Sequence, residues 1–142
     1  LNPNIDSVMK IAAVSHDIDR GVYKDTKDDL DLKHFDYDTY KQRHALRSAE
    51  IMRKLLNKYN FNEDFISQVT FLISNHEVGG TKEADILRDA DSIAYFNNGI
   101  PLKGEKTIIK MRFMYKRASS GAQKIIKSKS YNEEIRKMVA LL

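Results

Sequence analysis

The chain has 142 residues and a formal net charge of +4 at pH 7, with 42% hydrophobic and 31% charged residues. This length and composition predict an ordinary globular domain with a real hydrophobic core. The lack of cysteine excludes disulfides, thiolate metal sites and cysteine nucleophiles. It also fits a cytoplasmic location, and no apolar run approaches the length that crosses a membrane.

The first predicted helix covers residues 3–18 and carries an apolar row with spacings of four, three and four. Such spacing places side chains on one face of an α-helix. Residues 19–37 lack this periodicity and are predicted to form a long loop. The row ends in a histidine, which we therefore expect on the buried face, and consists of Ile5, Met9, Ala12 and His16.

The next two predicted helices repeat this arrangement, each with a histidine on its apolar face. The helix over residues 38–59 carries the row His44, Ser48, Ile51 and Leu55. Asn62 is expected to cap a helix over residues 63–77. The row on that helix consists of Phe65, Val69, Leu72 and His76.

A fourth helix places an aspartate in the same position. Thr81 is expected to cap this helix, which is predicted over residues 82–97. An ionised carboxylate on a buried face is costly unless it is paired or binds a metal. The row on this helix consists of Ala84, Leu87, Asp91 and Ala94.

The last third of the chain is strongly basic. Residues 1–102 contain 13 Lys and Arg against 17 Asp and Glu, whereas residues 103–142 contain 11 against 3. Most of these cations are expected on a solvated surface, with binding of an anionic substrate as the alternative.

The sequence shows no alternation typical of strands, and it predicts a single all-α domain of about six or seven helices. Its last three helices are predicted over residues 104–118, over residues 122–128, and from a capping box at 130–133 to residue 142.

Four potential metal ligands thus lie on the apolar faces of four successive helices. A lone buried histidine is more often bonded to a backbone carbonyl than to a metal. A divalent cation between the helices, however, explains all four together, since imidazole and carboxylate are its usual ligands. The four residues are His16, His44, His76 and Asp91.

Their order along the chain, together with Asp17, is similar to a known pattern. The adjacent His16 and Asp17, and Asp91 within the segment Arg88-Asp89-Ala90-Asp91-Ser92-Ile93, resemble the HD-domain superfamily of all-helical, metal-dependent phosphohydrolases. The resemblance spans roughly residues 5–97. It implies that His16, Asp17 and Asp91 bind a first divalent ion (Mn, Fe, Mg, Co, Ni or Zn). It also implies that His44 and His76, with Asp17 bridging, bind a second one.

The family also has a histidine upstream of the His-Asp pair. None of the fifteen residues before His16 is a histidine. Because the chain begins at Leu1 rather than at a methionine, we expect this ligand in sequence that precedes the chain, with its absence from the protein as the alternative.

The resemblance implies hydrolysis of a phosphate ester, with Asp17 and Glu77 as the candidate catalytic residues. A divalent metal lowers the pKa of bound water and offsets charge on phosphoryl oxygens. Glu77 adjoins His76 and is a candidate for orienting water, with an exposed helical glutamate as the alternative. Phosphate also needs cationic donors. The candidates are Arg20, Arg47, Lys110 and Arg117, each with a solvated surface role as the alternative.

The expected substrate is a nucleotide or another small phosphorylated molecule, and a homodimer is compatible with the sequence. One alternative is a non-catalytic sensor of the same fold that only binds a metal or nucleotide. A nucleic-acid-binding module that uses the basic last third ranks low, because aromatic residues are not interleaved with the basic ones.

Overall fold

The described part of the chain is entirely helical apart from turns and short connections. The structure is a computed structural model that describes residues 7–23, 37–97, 105–129, 133–140 and 142. These residues form eight α-helices and no strand, which confirms the predicted all-α fold. The helices are α1 (Ser7–Ser15), α2 (Asp19–Val22), α3 (Tyr37–Lys58), α4 (Glu63–Asn75), α5 (Lys82–Asn97), α6 (Glu105–Arg117), α7 (Ser120–Ser128) and α8 (Glu133–Val139).

The start of the chain departs from the prediction. Helix α1 ends at Ser15, three residues earlier than expected, and a turn over residues 16–18 leads into α2. The loop prediction was therefore wrong for Asp19–Val22. This extra helix raises the number of helices in the described residues to eight, from the predicted six or seven. Of the rest of the predicted loop, Tyr23 forms a bend and Tyr37 begins α3, whereas residues 24–36 lie outside the described residues, as does Ser130 of the predicted capping box.

The predicted caps of α4 and α5 are confirmed. The Asn62 side chain accepts a hydrogen bond from Phe65 N at 2.8 Å, and Thr81 Oγ1 accepts one from Ala84 N at 3.2 Å. Because α4 ends at Asn75, His76 and Glu77 lie in the turn that follows it rather than in the helix as predicted.

The helices group into two compact units, Leu1–Leu87 and Arg88–Leu142, with the boundary inside α5. In the first unit α4 packs against both α3 and α1. The apolar rows predicted a buried His44 and Ser48, as observed, but Leu55 is 38% exposed, so that row turns towards solvent near the end of α3. The buried core of this unit consists of Met9, Ala12, Ala49, Met52, Leu56, Ile66, Val69, Leu72, Ile73, Ala84 and Leu87.

The second unit has a core of its own, built from the end of α5 and from α6, α7 and α8. Helix α7 begins at the N-cap Ser119, whose side chain accepts a hydrogen bond from Ala122 N. Among the described helices of both units, none is long and apolar enough to cross a membrane. The core of the second unit consists of Phe96, Met111, Met114, Ala118, Ala122, Ile126, Ile135 and Val139.

Candidate metal centre

The first unit brings four of the five predicted metal ligands together. His16 and Asp17 lie in the turn after α1, His44 lies in α3, and His76 directly follows α4. Asp17, His44 and His76 each offer one ligand atom, and these three atoms lie within 4.8 Å of one another. The His16 ring meets the His76 ring edge-on, with 4.9 Å between the centroids.

His76 is held in the tautomer that a metal ligand needs. Its side chain is fully buried, and its Nδ1 lies 2.6 Å from the carbonyl oxygen of Ile73. A carbonyl can only accept, so Nδ1 carries a hydrogen, and in the neutral ring Nε2 is the acceptor. Among the described residues this buried Nε2 makes no hydrogen bond, although Glu77 Oε1 lies 3.2 Å from it. Leaving such an acceptor unsatisfied is costly, so the atom fits a site built for a cation.

His16 follows the same local rule. Its Nδ1 lies 2.8 Å from the carbonyl oxygen of Ala13, three residues earlier, which assigns the hydrogen to Nδ1. Its Nε2 lies 3.7 Å from Asp17 Oδ1. Backbone carbonyls near the ends of α1 and α4 therefore orient both rings.

His44 lies between two carboxylates. Its Nε2 is 2.6 Å from Asp17 Oδ1, and its Nδ1 is 2.5 Å from Asp19 Oδ1. Burial raises the pKa of the Asp17 carboxyl, but the hydrogen bond from His44 and the positive charge of Arg20 outweigh it. The net effect holds the pKa of Asp17 far below its ordinary value, so this carboxylate is ionised and available as a ligand.

Both predicted substrate-binding arginines of this unit contact aspartates. Arg20 Nε lies 3.0 Å from Asp17 Oδ2, and this arginine side chain is 45% exposed. Arg47 Nε donates to Asp19 Oδ2 at 3.1 Å. The sequence analysis did not identify Asp19 as part of the site, although its position two residues after Asp17 could have indicated it. The substrate role of the two arginines stays a prediction.

Glu77 is part of a buried ion pair and is not an exposed residue on a helix surface. The Lys41 ammonium contacts Glu77 Oε1, and the two side chains are only 3% and 2% exposed. The same carboxylate oxygen lies 3.2 Å from His76 Nε2. The exposed alternative for Glu77 was therefore wrong. Lys41 was missed, although it lies three residues before His44 on the same helical face.

The remaining predicted residues lie in the second unit. There Asp91 Oδ2 pairs with the Arg117 guanidinium, and Arg117 Nε donates to Ser92 Oγ at 3.0 Å. The Lys110 ammonium lies 4.7 Å from the centre of the Tyr95 ring. The metal role of Asp91 and the substrate roles of Lys110 and Arg117 stay predictions.

Comparison with known proteins places the chain in a family that carries no assigned activity. None of the curated proteins and none of the solved structures matches it. One family model, described as a domain of unknown function (DUF4202), matches residues 1–139. Because that match covers nearly the whole sequence, the chain belongs to the DUF4202 family.

Proposed function

We propose that this protein is a metal-dependent phosphohydrolase of the HD type that acts on a nucleotide or another small phosphorylated molecule. The observation that carries the proposal is the convergence of Asp17, His44 and His76, whose ligand atoms lie within 4.8 Å of one another in the first unit. His16 adjoins them and extends the donor set. Two or three imidazoles with a carboxylate suit zinc, manganese, iron, cobalt or nickel.

The residues fit such a cation because their donor atoms are already oriented. Backbone carbonyls hold Nδ1 of His16 and of His76, which leaves Nε2 of each ring as the ligand atom. The ionised Asp17 carboxylate supplies negative charge beside them. A divalent cation bound there supplies a hydrolytic nucleophile at neutral pH and offsets charge on the phosphoryl group.

Two further side chains are placed to act on a substrate. Arg20 is exposed and lies next to Asp17, so its guanidinium can also reach an anionic group at this centre. Glu77 Oε1 lies 3.2 Å from His76 Nε2, within reach of a water molecule bound at the same place. Arg20 therefore binds phosphate, and Glu77 accepts the proton from the attacking water.

Metal content and phosphate release test this proposal together. The wild type and Asp17→Ala are loaded with Mn²⁺ or Zn²⁺, desalted and measured by elemental analysis. Each is then assayed against nucleoside mono-, di- and triphosphates and sugar phosphates. Asp64→Ala is the matched control, because Asp64 lies on the exposed side of α4 and contacts only Gln68 among its described hydrogen bonds.

The wild type and the control are expected to retain one or two ions per chain and to release phosphate from at least one substrate class. Asp17→Ala is expected to lose both properties. Metal-loaded wild type that releases no phosphate from any member of the panel contradicts hydrolysis. Binding of a nucleotide without turnover would instead favour the sensor.

A further inference from the structure

Asp19 is a buried carboxylate next to the candidate metal centre. Asp19 is 2% exposed, and its Oδ1 lies 2.5 Å from His44 Nδ1. Arg47 contacts Oδ2 through both Nε and Nη2, each at 3.1 Å, and Ser48 Oγ donates to Oδ1 at 3.3 Å. The Ser48 hydroxyl also accepts from the backbone N–H of Asp19 at 3.3 Å.

These contacts connect Asp19 to one helical face of α3. His44, Arg47 and Ser48 are spaced by three and four residues, so they point in the same direction. Arg47 balances the charge of the buried carboxylate, and a stable ion pair at this depth needs such additional hydrogen bonds. The Arg47 guanidinium therefore gives this carboxylate a cationic partner other than His44.

We propose that Asp19 is a positioning residue for the metal centre. It accepts a hydrogen bond from His44 Nδ1. His44 Nε2, on the opposite edge of the ring, is then the ligand atom, and a cation there would replace its hydrogen bond to Asp17 Oδ1. Carboxylates that hold a metal-binding histidine in this way fix its tautomer and raise its basicity. The inference rests on the proposed function, because it assumes that a cation binds at Asp17 and His44. In this inference Arg47 holds the Asp19 carboxylate in place through its contacts with Oδ2.

The substitution Asp19→Asn separates this role from simple filling of space. Asparagine has one acceptor oxygen, and the charged Arg47 guanidinium is the stronger donor to claim it. The asparagine NH2 group then faces His44 Nδ1 and forces that nitrogen to accept. The imidazole hydrogen moves to Nε2, where it bonds Asp17 and blocks the ligand atom.

The test combines zinc affinity with NMR of the histidine ring nitrogens. Zinc dissociation constants are measured on the full chain by competition with a chromophoric chelator, for wild type, Asp19→Asn and Asp64→Asn. The last variant makes the same substitution on the exposed face of α4 and serves as the control. We expect Asp19→Asn to weaken zinc binding by about 10- to 100-fold and the control to match the wild type.

The NMR measurement reads the tautomer directly. Long-range proton–nitrogen correlations are expected to show a hydrogen on His44 Nδ1 in the wild type, both zinc-free and zinc-loaded, and no hydrogen on that nitrogen in zinc-free Asp19→Asn. A purely structural role for Asp19 would leave this hydrogen on Nδ1 in both zinc-free proteins. If Asp19→Asn does not fold, the zinc-loaded wild type decides alone, because coordination of His44 through Nδ1 overturns the inference.

The outcomes also separate the two proposals. Wild type that binds zinc, together with a folded Asp19→Asn of equal affinity within twofold, overturns the role of Asp19 and leaves the proposed function standing. Wild type that binds no zinc overturns both.

Discussion

Replacing Lys41 with methionine is expected to destabilise the metal-free protein by about 3–5 kcal/mol. Lys41 and Glu77 form an ion pair whose side chains are 3% and 2% exposed. Methionine fills a similar volume, so little packing is lost. The cost comes from a buried carboxylate that loses the ammonium balancing its charge. At about 3 °C per kcal/mol for a chain of this length, the melting temperature falls by roughly 10–15 °C.

Urea unfolding in the presence of EDTA measures this loss without a contribution from bound metal. Lys54→Met is the matched control, because Lys54 forms an ion pair with Glu50 on the same helix with both side chains largely exposed. Exposed pairs contribute little, so this control is expected to unfold like the wild type. The double variant Lys41→Met/Glu77→Gln is expected to recover most of the loss, since it buries no charge. Lys41→Met that unfolds at the wild-type urea concentration refutes the reasoning.

Three further predictions follow from other sites. Burial raises the pKa of Tyr95 from 10.0 to about 12. The contribution of the neutral Tyr95 side chain to the free energy of unfolding is therefore complete below pH 10 and is lost as the pH rises towards 12. The 295 nm difference titration between wild type and Tyr95→Phe should have its midpoint near 12, and a midpoint near 10 contradicts this. Asn62→Ala removes the cap of α4 and should cost about 1 kcal/mol in urea unfolding, whereas Asn62→Asp should restore most of it. Ile73 is fully buried, so Ile73→Ala should cost about 2–5 kcal/mol and Ile73→Val about 0.5–1.5, and equal costs would contradict tight packing.

Helical periodicity carried much of the fold prediction because it records which face is buried. The predicted bounds of α5, residues 82–97, match the structure, and α3 differs from its prediction by one residue at each end. The same rule placed His44 and His76 on buried faces, and both are buried, whereas His16 and Asp91, predicted on such faces too, are only partly buried. Helix α2 was missed because four residues are too short to show a period, and its only apolar residue is the exposed Val22.

The supporting charges of the site could not be predicted by the same rule. Asp19 lies 29 residues from Ser48 and is buried by a contact between segments that the sequence pattern does not link. Lys41 is buried because Glu77, 36 residues later, reaches it from the turn after α4. Periodicity predicts which side of a helix faces inward, but a buried charge depends on a partner whose position only the tertiary fold determines.

The concentration of buried charge around His44 and His76 is itself an argument for a site. Apolar side chains of similar size are often as stabilising as a buried ion pair. The buried pair Lys41–Glu77 and the partly buried pair Asp19–Arg47 both lie beside these histidines. A fold selected for stability alone has no need to place both pairs there. Local departures from the rules of a packed core tend to mark functional sites. Here each pair contacts or adjoins a different histidine, so the buried charges and the candidate ligands form one centre, and the variants of Asp19 and Lys41 test its two sides separately.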